Sequence, residues 1–518
     1  MACGVALAAA PTIASAAPAP VVSVTVDAAH PGATIERDIF GQFAEHLGTG
    51  IYGGIWVGPD SPIPNVRGIR SDVVAALRAI RVPNVRWPGG CFADNYHWRN
   101  GIGPRAQRPA TLNPDWAGVI EPNSFGTEEY FDFLDQIGAE AFISENIGSG
   151  TVGEAADWLE YMTSDRPTTL ALQRAANGHP APYKVHVLGL GNESWGCGGA
   201  MSPDHYVEAM KQFAHFTRNY NPTQQGADAM KKVAVGWDSG TADYTEAVMK
   251  AWKDKVWSWD IDGVSLHGYT IPNNWEKKGP SVGFGEDEYA KALAATLKMN
   301  GWIAAQRAVM DRYDPARKVG LYVDEWGLWA DPNPGSNPGF LQQQNTLRDG
   351  IIAALNLNIF MRNADRVRGA NIAQMVNVLQ AMILTDGPRM VLTPTYHVYK
   401  MYVPFQGSTS VPVAFDAGSV SLGPVTLPRV DAAAARDRDG RLWLSLVNLD
   451  PRQGVSLDLR GTGAMRATGE LLSAGAVDAH NDVAHPSAVA PRLVEARAAG
   501  GALRIALPPA SVAVVMLR

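Results

Sequence analysis

Glu193 and Glu325 each close an apolar run, His186-Val-Leu-Gly-Leu-Gly-Asn-Glu193 and Val319-Gly-Leu-Tyr-Val-Asp-Glu325. A carboxylate at a strand end is held on a rigid element and faces whatever lies beyond the sheet. Two of them, far apart in the chain, suggest one pocket built from non-neighbouring strands. Such a pair could cleave a glycosidic bond: one carboxyl protonates the leaving oxygen while the other attacks or stabilises the anomeric carbon. A separation of about 5 Å favours a covalent glycosyl-enzyme and net retention. Mutual repulsion then raises one pKa, so that the acid stays protonated near neutrality.

A fold that brings these two together has to alternate strands and helices. Eight β-rich runs meet that need: Ile39–Phe43, Val82–Trp87, Ala141–Ser144, Val185–Leu190, Val233–Trp237, Gly263–His267, Val319–Val323 and Val367–Val376. Between them, helical apolar spacing falls in the run from Ser71, and in Tyr130–Ile137, Ala155–Met162, His205–Asn219, Tyr244–Trp252, Tyr289–Tyr313 and Leu341–Asn358. Eight β-then-α units over residues 37–388 predict an α/β fold, a (β/α)₈ TIM barrel. From 389 to 518 the texture changes to short alternating runs split by Gly, Pro and Asp, as in Arg441-Leu-Trp-Leu-Ser-Leu-Val-Asn448. That predicts a C-terminal antiparallel β-sandwich. Residues 18–36 hold Val21-Val-Ser-Val-Thr-Val26, an N-terminal strand of the same texture that is expected to join the sandwich.

Barrel enzymes carry their reactive groups at the carboxyl ends of the strands. Here those ends read Glu45-His46 after strand one, Arg86-Trp-Pro-Gly-Gly-Cys91 after strand two and Asn192-Glu193-Ser-Trp195 after strand four. Strand six ends His267-Gly-Tyr269, strand seven Asp324-Glu325-Trp326 and strand eight Ala373-Gln374. As an ordered set these ends resemble the α-L-arabinofuranosidases of glycoside hydrolase family 51, across barrel and sandwich alike. The resemblance implies a retaining, exo-acting hydrolase that releases terminal α-L-arabinofuranose from arabinoxylan or arabinan fragments. It makes Glu193 the acid/base and Glu325 the nucleophile. It further implies Asn192 as a ligand of the sugar 2-hydroxyl, Arg86 as the orienter of the nucleophile, Glu45 as a ligand of ring hydroxyls, and Tyr269 as a hydrogen-bond donor to the nucleophile. Gln374 would touch the sugar or the loop beside it. Cys91 stands where Asn is often found in the family, which softens any hydroxyl contact there, because sulfur is a weak partner. The family implies a homo-oligomer, often a hexamer. Rival readings on the same barrel are an endoglucanase, a xylosidase, another furanosidase, or a non-catalytic carbohydrate-binding protein.

Of the tryptophans beside the strand ends, Trp195 and Trp329 are expected at the pocket and Trp87, Trp98 and Trp326 in the core. His267 reads as a hydrogen-bonded strand-end histidine. Gly48-Thr-Gly-Ile-Tyr-Gly53 fits a dinucleotide pattern by letter, but prolines follow where a helix is required. No metal-ligating or phosphate-loop signature is present, so no cofactor and no metal are expected.

The balance of 44 Lys+Arg against 51 Asp+Glu gives a net charge of −7, without the basic footprint of a nucleic-acid partner or a polybasic membrane anchor. Residues 1–17 are Ala-rich and end near Ala14-Ser15-Ala16, resembling a signal peptide that lacks a basic start. That predicts export to a periplasmic or secreted location, or a cytoplasmic one if the segment is not a functional signal. Beyond it remain Cys91 and Cys197, read as two free thiols in preference to one bridge.

Overall fold

The computed structural model describes residues 19–237, 241–256 and 258–518. Eight parallel strands close into a barrel in chain order: Gly41–Phe43, Asn84–Trp87, Glu140–Ser144, Val185–Leu190, Lys231–Ala234, Gly263–Thr270, Gly320–Leu328 and Val367–Ile372. All eight expected strands are present, with shifted ends. The first is shorter because Arg37–Phe40 winds into a 3-10 turn before it. The eighth stops at Ile372, where the chain folds back through turns at Asn377 and Leu379, both at positive φ. Phe142, Val187, Val233 and Tyr322 form a separate buried apolar cluster contributed by four of the barrel strands.

Helices between the strands begin on side-chain caps that satisfy their free N–H groups. Thr151 accepts from Glu154 N, and Ser202 accepts from His205 N with Pro203 in the first turn. The helix Leu347–Arg362 starts on a reciprocal Thr346/Asp349 capping box and is buried on every side except at Arg362. An all-round apolar helix needs cover all round, and it has it. Barrel strand seven lies on one side and the C-terminal strands Val430–Arg436, Leu442–Asn448 and Ser511–Leu517 on the other. Helices Thr169–Ala176 and Pro394–Tyr402 were not among the expected elements; the second follows strand eight and packs on Leu347–Arg362. Among the described residues, no helix is long and apolar enough to cross a membrane.

Two sheets make the C-terminal sandwich, with the hairpin Ser419–Leu422/Val425–Pro428 paired apart from both. One holds four strands: Val413–Phe415, Val21–Val26, Val455–Arg460 and Leu503–Leu507. The other holds six, from Thr409–Val411 through Leu442–Asn448 and Ser511–Leu517 to Arg492–Arg497. Alternate side chains (Val22, Val24, Leu444, Leu446, Leu457, Ile505) meet in a shared core. Val21–Val26 does join this sandwich, antiparallel to Val413–Phe415 but parallel to Val455–Arg460.

Candidate active site

The C-terminal mouth of the barrel gathers the carboxylates. Glu325 lies on strand seven, 5% exposed, and each of its oxygens has a donor: Arg86 Nη1 at 2.7 Å on Oε1 and the Tyr269 hydroxyl at 2.7 Å on Oε2. Arg86 rises from strand two, 1% exposed, with its guanidinium 4.7 Å from the Phe43 ring centroid. Its other nitrogen, Nη2, donates to Asn192 Oδ1 at 2.6 Å, and Nε lies 3.5 Å from Asp324 Oδ2. The Pro-Gly-Gly turn owes its second glycine to this crowding: a Cβ at Gly90 would stand 2.7 Å from Glu325 Oε1.

Glu193 follows strand four at φ 38°, in the left-handed region that a glutamate adopts only where its surroundings hold it. His267 Nδ1 is 2.8 Å from Glu193 Oε1 and 3.6 Å from Glu325 Oε2, while Nε2 is 3.2 Å from Asp324 Oδ1. Burial alone would lower the His267 pKa, but Glu325, Asp324 and Glu193 hold it well above the ordinary value. One oxygen each of Glu193 and Glu325, with a His267 nitrogen, all lie within 4.8 Å of one another.

Glu45, beyond strand one, accepts from Gly90 N at 2.9 Å and Phe92 N at 3.1 Å, and Gln374 Nε2 donates to its other oxygen at 3.0 Å. Burial first, and the charge of Glu325 second, push Glu45 up to about 7. A cavity of about 530 Å³ opens beside Glu193, His267 and Tyr269, walled by Trp195, Trp275 and Trp329. Trp87, Trp98 and Trp326 are buried in the core.

The structure thus brings Glu45, Arg86, Asn192, Glu193, Tyr269, Glu325 and Gln374 into one network, with Trp195 and Trp329 beside it. The expectation of two free thiols is corrected: Cys91 and Cys197 are bonded, their Cα atoms 5.5 Å apart. Strands two and four are separated in the barrel by one strand only, which brings the loops after them together. Cys197 Sγ lies 3.5 Å from Glu193 Oε2. Sequence reasoning missed Asp94, whose carboxylate accepts three backbone N–H groups, and gave no role to Asp324, although it precedes Glu325 directly. Trp275 and Lys298 at the cavity carry no pattern that could have marked them.

Residues 76–249 match the family model described as Alpha-L-arabinofuranosidase 1 domain, and residues 324–511 the one described as Alpha-L-arabinofuranosidase C-terminal domain. An intracellular exo-alpha-L-arabinofuranosidase of Bacteroides ovatus is 41% identical over 96% of this chain and 95% of its own. The crystal structure of the GH51 arabinofuranosidase from Xanthomonas axonopodis pv. citri superposes with a TM-score of 0.92 at 46% identity, covering 96% of this chain and 100% of that one. The α-L-arabinofuranosidase of Thermotoga maritima, solved as an arabinose complex, gives 0.82 at 32% identity over 96% and 99%. The expectation of export is corrected by the Bacteroides relative, which is named an intracellular enzyme. The signal-like residues 1–17 lie outside the described residues.

Proposed function

Since the chain belongs to the α-L-arabinofuranosidases of glycoside hydrolase family 51, we propose that it works by double displacement, with Glu325 as nucleophile and Glu193 as acid/base. Its substrates on this reading are terminal α-L-arabinofuranosyl groups on arabinoxylan- or arabinan-derived oligosaccharides, in a homo-oligomer. In the first step a Glu325 oxygen bonds the anomeric carbon as the glycosidic C–O bond breaks, and Glu193 gives its proton to the departing oxygen. In the second, Glu193 takes a proton from water, whose oxygen attacks the same carbon and releases Glu325.

The observation that carries this reading is the close approach of the two carboxylates, one oxygen of Glu193 lying within 4.8 Å of one oxygen of Glu325. Retaining pairs sit about 5–5.5 Å apart and inverting pairs about 6.5–9.5 Å, the latter leaving room for a water. The two donors on Glu325 engage both of its oxygens and aim it, as a nucleophile requires. On this reading Asn192, tied to the same guanidinium, bonds the sugar's 2-hydroxyl.

Glu325→Ala is expected to be almost inert and partly rescued by azide, giving a glycosyl azide of inverted configuration. Turnover left intact in Glu325→Gln would overturn the mechanism. Chromogenic arabinofuranoside, xyloside and glucan substrates assayed side by side test the substrate class, and light scattering after size exclusion tests the assembly.

A further inference from the structure

The short 3-10 turn Cys91–Asn95, after the second barrel strand, makes two separate attachments to the loop that carries Glu193. Cys91 opens the turn and is bonded to Cys197. Asp94, 2% exposed, commits its whole carboxylate to backbone. Its Oδ1 accepts from Ile147 N at 2.8 Å and Gly148 N at 2.7 Å, just after strand three, and its Oδ2 accepts from Asn192 N at 3.0 Å. Gly198 packs into the same space: a Cβ there would stand 1.7 Å from Asn192 O and 2.6 Å from Asp94 Oδ2. Asn192 and Glu193 are therefore gripped on one side by a hydrogen bond to the backbone and on the other by a covalent tie a few residues along.

We propose that this turn is the positioning element for proton transfer, acting through Asp94 and Cys91 to hold the Asn192–Glu193 backbone in the left-handed turn that aims Glu193 at the leaving oxygen. The inference rests on Glu193 being the acid/base. Neither Asp94 nor the disulfide is needed to explain how Glu325 is held, because Arg86 and Tyr269 do that from other strands. A fault in the clamp should therefore appear chiefly in protonation of the leaving group, attack on the anomeric carbon feeling it only through the Asn192 side chain that shares Arg86 with Glu325.

The chemistry of the change can be read off the bonds. In Asp94→Asn the remaining oxygen keeps the paired Ile147 and Gly148 donors, which turns the amide NH₂ toward Asn192 N–H, donor against donor. The double variant Cys91→Ser/Cys197→Ser removes the covalent tie and leaves two hydroxyls that do not bond each other covalently.

The experiment is kcat/KM, which reports the first chemical step, on 2,4-dinitrophenyl and on phenyl α-L-arabinofuranoside, with circular dichroism to confirm the fold. The first leaving group departs without a proton and the second requires one. General acid catalysis supplies about 10²–10⁴-fold, so a misaimed acid is expected to lose about 10- to 50-fold on the phenyl substrate and less than about threefold on the dinitrophenyl one. Glu193→Ala is the reference and should show the same asymmetry more strongly. Equal losses on both substrates in a folded clamp variant, or no loss on either, overturn the inference. If Glu193→Ala itself shows no asymmetry, the acid/base assignment has failed instead. If Asp94→Asn does not fold, the double serine variant gives the same reading.

Discussion

Arg86 and Asn192 share a 2.6 Å hydrogen bond across the barrel mouth, although one leaves strand two and the other lies beyond strand four. The same guanidinium holds Glu325 with its other terminal nitrogen. One planar group thus fixes the distance between the attacking carboxylate and the amide assigned to the sugar's 2-hydroxyl. An ammonium keeps the charge but cannot serve both partners from a fixed fork. Arg86→Lys is expected to forfeit one charge-assisted hydrogen bond, about 1.5–3 kcal/mol, which is roughly 10- to 150-fold in kcat/KM. Steady-state rates on an aryl arabinofuranoside measure this; a loss under threefold would show that the fork is not needed.

Glu45 offers a test through stability. Burial and the Glu325 charge raise it from 4.5 to about 7, so the folded protein binds a proton that the unfolded chain releases from pH 4.5 upward. The sign follows: wild-type stability falls as pH rises from 4.5 to about 7 and levels off above. Glu45→Gln has no proton to lose. Its melting temperature relative to wild type is expected to climb between pH 4 and pH 8, by the equivalent of up to about 3 kcal/mol. A pH-independent difference between the two melting curves would contradict the raised value.

At the opposite end of the barrel, Asp38 Oδ2 stands 2.7 Å from His186 Nε2. Burial raises the Asp38 pKa, yet His186, Lys231 and Asn84 together pull it down to about 2, and His186 is raised in turn. The aspartate's contribution is complete above pH 3.8 and fades as pH falls through 2. The histidine's is complete below pH 6.5 and is lost as pH rises through its elevated pKa. Asp38→Asn should therefore cost most between about pH 4 and 6.5, on the order of 2 kcal/mol. Thermal melts at pH 3, 5.5 and 9 read this window, and a deficit that grows toward pH 3 or pH 9 would refute it.

His267 stands between Glu193 and Asp324, its two ring nitrogens 2.8 Å and 3.2 Å from their carboxylate oxygens, and its loss removes one contact from each. His267→Ala is expected to lower kcat/KM about 10- to 100-fold through misplacement of Glu193. Wild-type turnover in that variant would remove His267 from the working site.

The barrel was legible because its strands are buried on both faces and read as continuous apolar runs, each ending in polar residues with chemistry to do. Boundaries slipped where local geometry intervenes: the 3-10 turn at Arg37–Phe40 and the fold-back after Ile372 leave no periodic mark. Pro394–Tyr402 did carry a helix signal, Thr393 capping Tyr396 N with proline next, but it stood where the texture turns to short strands. Asp94 was illegible for a deeper reason. Its partners are backbone N–H groups, which every residue owns, so nothing in the types at 147, 148 or 192 announces the contact. The Cys91–Cys197 bond depends on two loops meeting above the barrel, a fact of closure that spacing along the chain does not encode.

Val24 pairs with Phe415 on one edge and with Leu459 on the other. During synthesis this strand emerges early and finds neither neighbour until most of the polypeptide has been made. The barrel's successive βα units, whose contacts are near in sequence, can form meanwhile, while the sandwich waits on its most distant pairing. A ribosome paused within the barrel would hold Val21–Val26 as an apolar, unpaired segment, the point at which a chaperone or an aggregating neighbour meets the nascent chain first.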